Sequence, residues 1–194
     1  MTIRVGRRVA ATVSLESMTE LQLVVNQPWD AALATRVMDA ANLDKALLAA
    51  GRRLNRQAKT VQQMRIRLKK LGFDESTQQR TIDRLIQRGL LDDEAFGRAL
   101  IDELILRRSA GANLLRHKLL EKGLETSLVT KLVAEVAESD DPYSRALVLA
   151  RIKLADSTSL ALPTRRRRLY GQLTRRGFDL ETAEAVVNEL LGQD

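Results

Sequence analysis

The sequence predicts a mainly α fold: a tandem repeat of three-helix units, helix-turn-helix-like, preceded by a small antiparallel β-sheet. Three observations carry this expectation. Beyond residue 30, apolar residues recur at helical spacing. The lattice they form repeats three times in register. Only residues 2–25 alternate apolar and polar positions with the period of a strand.

Within that N-terminal stretch the alternating positions are Ile3 and Val5, then Val9, Ala11, Val13 and Leu15, then Leu21, Leu23 and Val25. Gly6-Arg7 can turn the first pair, and Glu16 to Thr19 the second. Residues 1–29 therefore read as a β-hairpin or a three-stranded sheet, which is marginal alone and has to lean on the helices that follow. Trp29, the single Trp, is expected to pin this sheet to the first helix. Asp30 can cap a connecting helix over residues 30–42, with Asn42 as an interruption.

Three units follow, over residues 43–91, 92–139 and 140–194. Their expected helices are 43–58, 60–71 and 76–88; 92–108, 112–122 and 126–138; and 142–154, 164–176 and 180–191. In the first unit Thr60 caps the second helix, Gly72 ends it, Asp74 or Ser76 caps the third, and Gly89 closes it. Asp92-Asp93-Glu94 and Asp140-Asp141-Pro142 open the next two units, with acids or an N-terminal proline where a helix start favours them. Ser109-Ala110-Gly111 is a loop, with Asn113 near the next helix start, and a further loop spans about Asp156 to Pro163.

Gly72, Gly123 and Gly177 anchor the repeat, at spacings of 51 and then 54 residues. Four residues before each stands Leu68, Leu119 or Leu173; eight before, Met64, Leu115 or Leu169; one after, Phe73, Leu124 or Phe178; ten after, Ile82, Val133 or Val187. Each anchor glycine is expected to have positive φ, the conformation that ends a helix and that a Cβ opposes.

The net charge of +7 points to a polyanion partner: DNA, RNA or an acidic protein surface. Aromatic residues make up only 3 %, which argues against base-stacking platforms and leaves phosphate neutralisation by Arg and Lys as the main contact mode. The densest positive charge is at Arg165, Arg166, Arg167 and Arg168, followed by Arg175 and Arg176, and these read as a binding surface. Arg65 and Arg116 occupy equivalent positions on the middle helices of the first two units, as do Arg67 and Lys118. The cluster Arg52, Arg53, Arg56 and Lys59, taken alone, reads as a solvated helix end favoured by the helix dipole.

No catalytic constellation stands out, so neither an enzyme nor a bound cofactor is expected. The sequence contains no Gly-x-x-x-x-Gly-Lys loop, no Gly-x-Gly-x-x-Gly, no nucleophile elbow and no Cys. Single Ser and Thr residues fall at caps, and His117 has no partners at ligand spacing. No run is apolar enough to cross a membrane, and the N-terminus makes a poor signal peptide. A cytoplasmic monomer is expected. A free-standing helix-turn-helix DNA-binding regulator is the competing class, with Gln78, Gln79 and Arg80 as its suggestive cluster.

Three segments in order carry a family resemblance: LNRQAKTVQQMRIRLKKLGF, IDRLIQRGLLDDEAF and LYGQLTRRGFD. Together they resemble RecX, the bacterial regulatory protein of the RecA recombinase. That family shows a basic helix before a capped Ser/Thr, a Gly-Phe helix end, a Gly-Tyr-Leu-Asp-Asp-Glu-x-Phe junction and a terminal Arg-Arg-Gly-Phe. Leu90 stands where Tyr is usual and Ala95 where Arg is common. The resemblance runs from about Leu43 to the C-terminus, and the N-terminal sheet corresponds to an extension found in some members. It implies a protein of DNA repair, recombination and the SOS response. Such a protein binds within the groove of the RecA–DNA filament, with RecA and single- or double-stranded DNA as its expected partners, and inhibits ATP hydrolysis, co-protease activity and strand exchange.

Overall fold

The computed structural model describes residues 1–139, 141–155 and 160–192. Asp140, half of the loop expected from Asp156, and residues 193–194 lie outside them. The described chain holds ten helices and one two-stranded antiparallel sheet. It divides into two compact units, Met1–Asp92 and Asp93–Asp194.

In unit 1, β1 (Thr2–Val5) pairs with β2 (Arg8–Thr12), turning at Gly6, whose φ is 59°. A third strand does not form. Ser14 instead caps a short helix, α1 (Leu15–Glu20), through a bond from the Ser17 amide. The reason is tertiary. Asp44, thirty residues on, accepts from the Ser14 amide at 2.5 Å and the Ser17 hydroxyl at 3.0 Å, which fixes a helix start where alternation alone predicts a turn. Leu21 and Leu23 still point inward, but as a loop against the core, and Val25 is 91 % exposed.

The next helix also differs from expectation. Asp30 accepts from the Leu33 amide at 2.7 Å, and the helix it caps, α2 (Ala31–Leu54), continues through Asn42 without a break. A lone Asn inside a helix costs only about 0.7 kcal/mol relative to Ala. Burial on both sides of it decides the matter. Leu33, Val37 and Ala41 join Ala11, Val13 and Trp29 in an N-terminal cluster, while Ala46 and Ala50 enter the next core. One helix therefore serves both the hairpin and the first three-helix set.

That set is completed by α3 (Val61–Lys70) and α4 (Glu75–Gln87). Thr60 caps α3 at 3.2 Å and Asp74, not Ser76, caps α4 at 2.9 Å. Met64, Leu68, Ile82 and Leu85 are its buried centre. Hydrogen bonds from the Thr77 hydroxyl, then its amide, hold the Asp74 carboxyl below its ordinary proton affinity.

Unit 2 repeats the arrangement twice. α5 (Asp93–Arg108), α6 (Ala112–Glu121) and α7 (Thr126–Ser139) enclose Leu115, Leu119, Val129, Leu132 and Val133. α8 (Pro142–Ala155), α9 (Leu162–Arg175) and α10 (Leu180–Leu191) enclose Leu169, Leu173, Phe178, Val186 and Val187. Asp141 caps α8 and Asp179 caps α10. α9 starts two residues earlier than the run of arginines suggests, with Pro163 in its first turn.

The three anchor glycines adopt the expected conformation, with φ of 85°, 85° and 87° at Gly72, Gly123 and Gly177. The residue after each donates its amide back to the buried leucine: Phe73 to Leu68, Leu124 to Leu119, Phe178 to Leu173, each at 3.3 Å. The glycine amide closes a second bond to Lys69, Leu120 or Thr174. This double closure satisfies carbonyls that the helix end leaves open and sets the angle at which the next helix departs.

A cluster of ion pairs holds α1 on α4. Arg84 reaches Glu20 at 2.5 Å and Glu16 at 3.7 Å, and Arg88 pairs with Glu16. The Arg88 hydrogen bond, with both guanidinium charges, lowers the proton affinity of the Glu16 carboxyl below its ordinary value of 4.5. A carboxyl depressed by folding adds stability above its unfolded pKa, and that stability is lost as pH falls through the folded value. Acidification below about pH 4.5 should therefore loosen α1 from α4. The single Trp, in the same cluster as Met18 of α1, reports it as a shift in emission. Glu16→Gln/Glu20→Gln should remove that acid step, and an unchanged titration in this variant would refute the assignment.

Candidate functional site

Positive charge is the chemical feature that the fold concentrates. α2 and α3 are joined only by residues 55–60, so the end of one lies beside the body of the other. Arg52 and Arg53 stand in the last turn of α2, with Arg56 and Lys59 just beyond it, and Arg67 and Lys70 stand on the last turns of α3. These six side chains line one cleft of about 730 Å³. Its floor is aliphatic, from Ala49, Met64, Ile66 and Leu71, and no carboxylate lines it. Lys59 donates to Gln57 at 2.7 Å. Arg52, Arg53, Arg56, Arg67 and Lys70 make no ion pair among the described residues.

Of the binding candidates named from sequence, Arg67 lines this cleft. Arg65 is two positions away on the same helix, a rotation of about 200° at 3.6 residues per turn. It points toward α4 and donates to Gln79 at 2.9 Å. Arg65 and Arg67 thus serve different faces of α3. In unit 2, Arg116 is exposed beside Asn113 at 3.3 Å, and Lys118 is paired with Glu121 at 2.6 Å.

The arginine-rich helix α9 divides likewise. Arg166 is half-buried and donates to Asn188 at 2.7 Å and to the Gly192 carbonyl, tying α9 to the end of α10. Arg165 is half-buried, while Arg167 and Arg168 are exposed. The Arg175 guanidinium folds over Gly171. The Arg176 backbone carbonyl accepts from the Gly111 amide at 2.8 Å.

The polar face of α4 is occupied by its own chain. Gln78 is buried and donates to the Phe73 carbonyl at 2.7 Å, Gln79 bonds both Arg65 and Asp83, and Arg84 and Arg88 are held by α1. Among the described residues no group of three or more His, Asp or Glu side chains could hold a metal ion. No described helix is long and apolar enough to cross a membrane.

Comparison with known proteins places this arrangement. The family model "RecX, first three-helix domain" matches residues 46–85, the segment that builds the cleft and α4. Regulatory protein RecX of Mycobacterium sp. (strain KMS) is 33 % identical over 147 residues, covering 73 % of this chain and 80 % of that protein. The chain belongs to the RecX family. Regulatory protein RecX of Prosthecochloris aestuarii (strain DSM 271 / SK 413) is 29 % identical, covering 67 % of this chain and 83 % of the relative. The fold agrees as well. A crystal structure of regulatory protein RecX superposes with a TM-score of 0.83 at 19 % identity, covering 100 % of this chain and 94 % of that one. The crystal structure of RecX from Lactobacillus salivarius gives 0.69 at 17 % identity, over 77 % of this chain and 96 % of that one. As a RecX-family regulator, this chain has the helices matched by the family model in unit 1, where the cleft cations converge.

Of the other cleft cations, Arg52, Arg53, Arg56 and Lys59 read from sequence as a solvated helix end, and Lys70 is not among the binding candidates. A signal was present: the basic cluster at 52–59 precedes a capped helix carrying further cations. Each half is explained singly by its helix dipole, and only their convergence across two helices sets them apart.

Proposed function

We propose that this chain regulates the RecA recombinase by binding along the RecA–DNA filament and inhibiting its ATP hydrolysis, co-protease activity and strand exchange. The observation that carries this reading is membership of the RecX family. The fold is compatible with it. Three-helix sets over residues 43–91, 92–139 and 140–194, each with its own buried centre, give one chain several linked contacts with a repeating partner. Exposed cations on α2, α3, α6 and α9 supply attraction to an acidic nucleoprotein. Arg65, Arg67, Arg116, Lys118, Arg165 to Arg168, Arg175 and Arg176 remain candidate contacts in this proposal, with Arg166 also holding α10.

An inhibitor that spans neighbouring RecA subunits needs no turnover and no cofactor of its own. It has only to resist the subunit motions that ATP hydrolysis requires. We assign it the part of a cytoplasmic monomer in DNA repair. The competing reading, a free-standing helix-turn-helix regulator, is disfavoured because Gln78 and Gln79 are engaged within the chain and are not offered to base edges.

The deciding experiment adds the purified chain to RecA on single-stranded DNA and follows ATP hydrolysis. Inhibition at less than one molecule per RecA is expected. No effect at concentrations that saturate bare DNA would reject the proposal, and a protected operator in footprinting would promote the competing one.

A further inference from the structure

Arg52, Arg53, Arg56, Arg67 and Lys70 of the α2–α3 cleft make no ion pair among the described residues, and their convergence costs repulsion. Elsewhere this chain pairs its cations readily: Arg84, Arg88, Arg98, Lys118 and Lys131 all meet carboxylates. In the cleft the lining has none. A helix dipole favours a cation at each helix end by about 0.3–1 kcal/mol. It does not place the ends of two helices around one concavity.

We infer that this cleft seats the phosphodiester backbone of a single DNA strand, so that unit 1 grips nucleic acid directly. Three features select this ligand. A cleft of one sign with low-dielectric walls focuses its field on a uniformly charged partner. Protein–protein interfaces use Arg too, but their cores are depleted of charged residues as a group, whereas nucleic-acid interfaces gather many positive charges together. Finally, the floor between the cations is aliphatic and open: Ile66 and Leu71 are 45 % and 42 % exposed. Sugar and unstacked base faces can cover such a floor, and arginine planes can stack on bases, but a duplex keeps its base faces hidden.

The inference deepens the proposal above by giving this cleft to the DNA of the filament and not to its protein. It is therefore tested first without RecA. Anisotropy of a labelled oligothymidylate is measured against salt for the full chain, for Arg52→Gln/Arg53→Gln/Arg67→Gln/Lys70→Gln, and for a charge-matched control, Arg4→Gln/Arg7→Gln/Arg8→Gln/Arg36→Gln. Each lost phosphate contact removes about 0.7 from the slope of log K against log salt. The cleft variant should lose about 2–3 of slope and at least about tenfold in affinity, and the control much less. Circular dichroism confirms that both variants fold. Equal slopes in the two variants overturn the inference, as does a duplex oligonucleotide that depends on the cleft to the same extent. RecA ATP hydrolysis is then measured with the cleft variant. Loss of inhibition with DNA binding intact would give the cleft to an acidic protein surface, overturning this inference and leaving the RecA proposal standing. No inhibition by the unaltered chain would reject the RecA proposal alone.

Discussion

Gly177→Ala is expected to destabilise unit 2 by about 3–5 kcal/mol, several times the effect of Gly72→Ala. Both glycines sit at nearly the same φ, 87° and 85°, so both substitutions carry the same conformational cost of about 1 kcal/mol. What differs is the surroundings. A Cβ at Gly72 meets nothing within 4 Å. A Cβ at Gly177 would stand 2.2 Å from the amide nitrogen of Leu114 and 2.8 Å from its Cα, backbone atoms that no rotamer change can remove. The loop before α6 docks here on the turn between α9 and α10, through bonds from the Gly111 amide to the Arg176 carbonyl at 2.8 Å and from the Asn113 amide to the Gly177 carbonyl at 3.0 Å.

Gly111→Ala separates the two costs. Its φ of −83° suits any residue, yet its Cβ would lie 2.5 Å from the Gly177 backbone. Urea unfolding followed by far-UV circular dichroism should thus rank Gly177→Ala above Gly111→Ala, and Gly111→Ala above Gly72→Ala. Equal losses at Gly177 and Gly72 would show that the contact is not made in solution.

The second large effect is at the buried leucines of the lattice. Leu68→Ala, Leu119→Ala and Leu173→Ala should each cost about 3–5 kcal/mol, the range for deleting a fully buried leucine from a core that cannot collapse around the gap. All three side chains are 0 % exposed, and each backbone carbonyl also accepts the bond that closes its helix. Trp29 fluorescence follows the first variant in unit 1, and circular dichroism follows the other two. A loss below about 1 kcal/mol at any one of them would break the equivalence of the three positions.

The sequence by itself determined what depends on near neighbours. Thr60 and Asp74 cap helices through amides three residues on, and the residues after Gly72, Gly123 and Gly177 close them through bonds spanning five. Such contacts are written in local order, and so is the 3.6-residue period that buries Leu68, Leu119 and Leu173. Membership of a family was legible for the same reason, because its motifs are these helix junctions.

Only the tertiary structure decided the rest. Asp44 turned an expected strand connection into α1 from thirty residues away, and burial at both ends carried α2 through Asn42. Arg65 and Arg67 both read as contact candidates, but helix rotation sent one to α4 and the other to the cleft. Arg52 and Arg53 read as an ordinary solvated helix end until α3 packed beside them. Gly111 and Gly177 looked like two turns, and packing made them one joint. In each case the deciding partner is distant in sequence. Periodicity tells which side of an element is buried, and says nothing of which distant residue it is buried against.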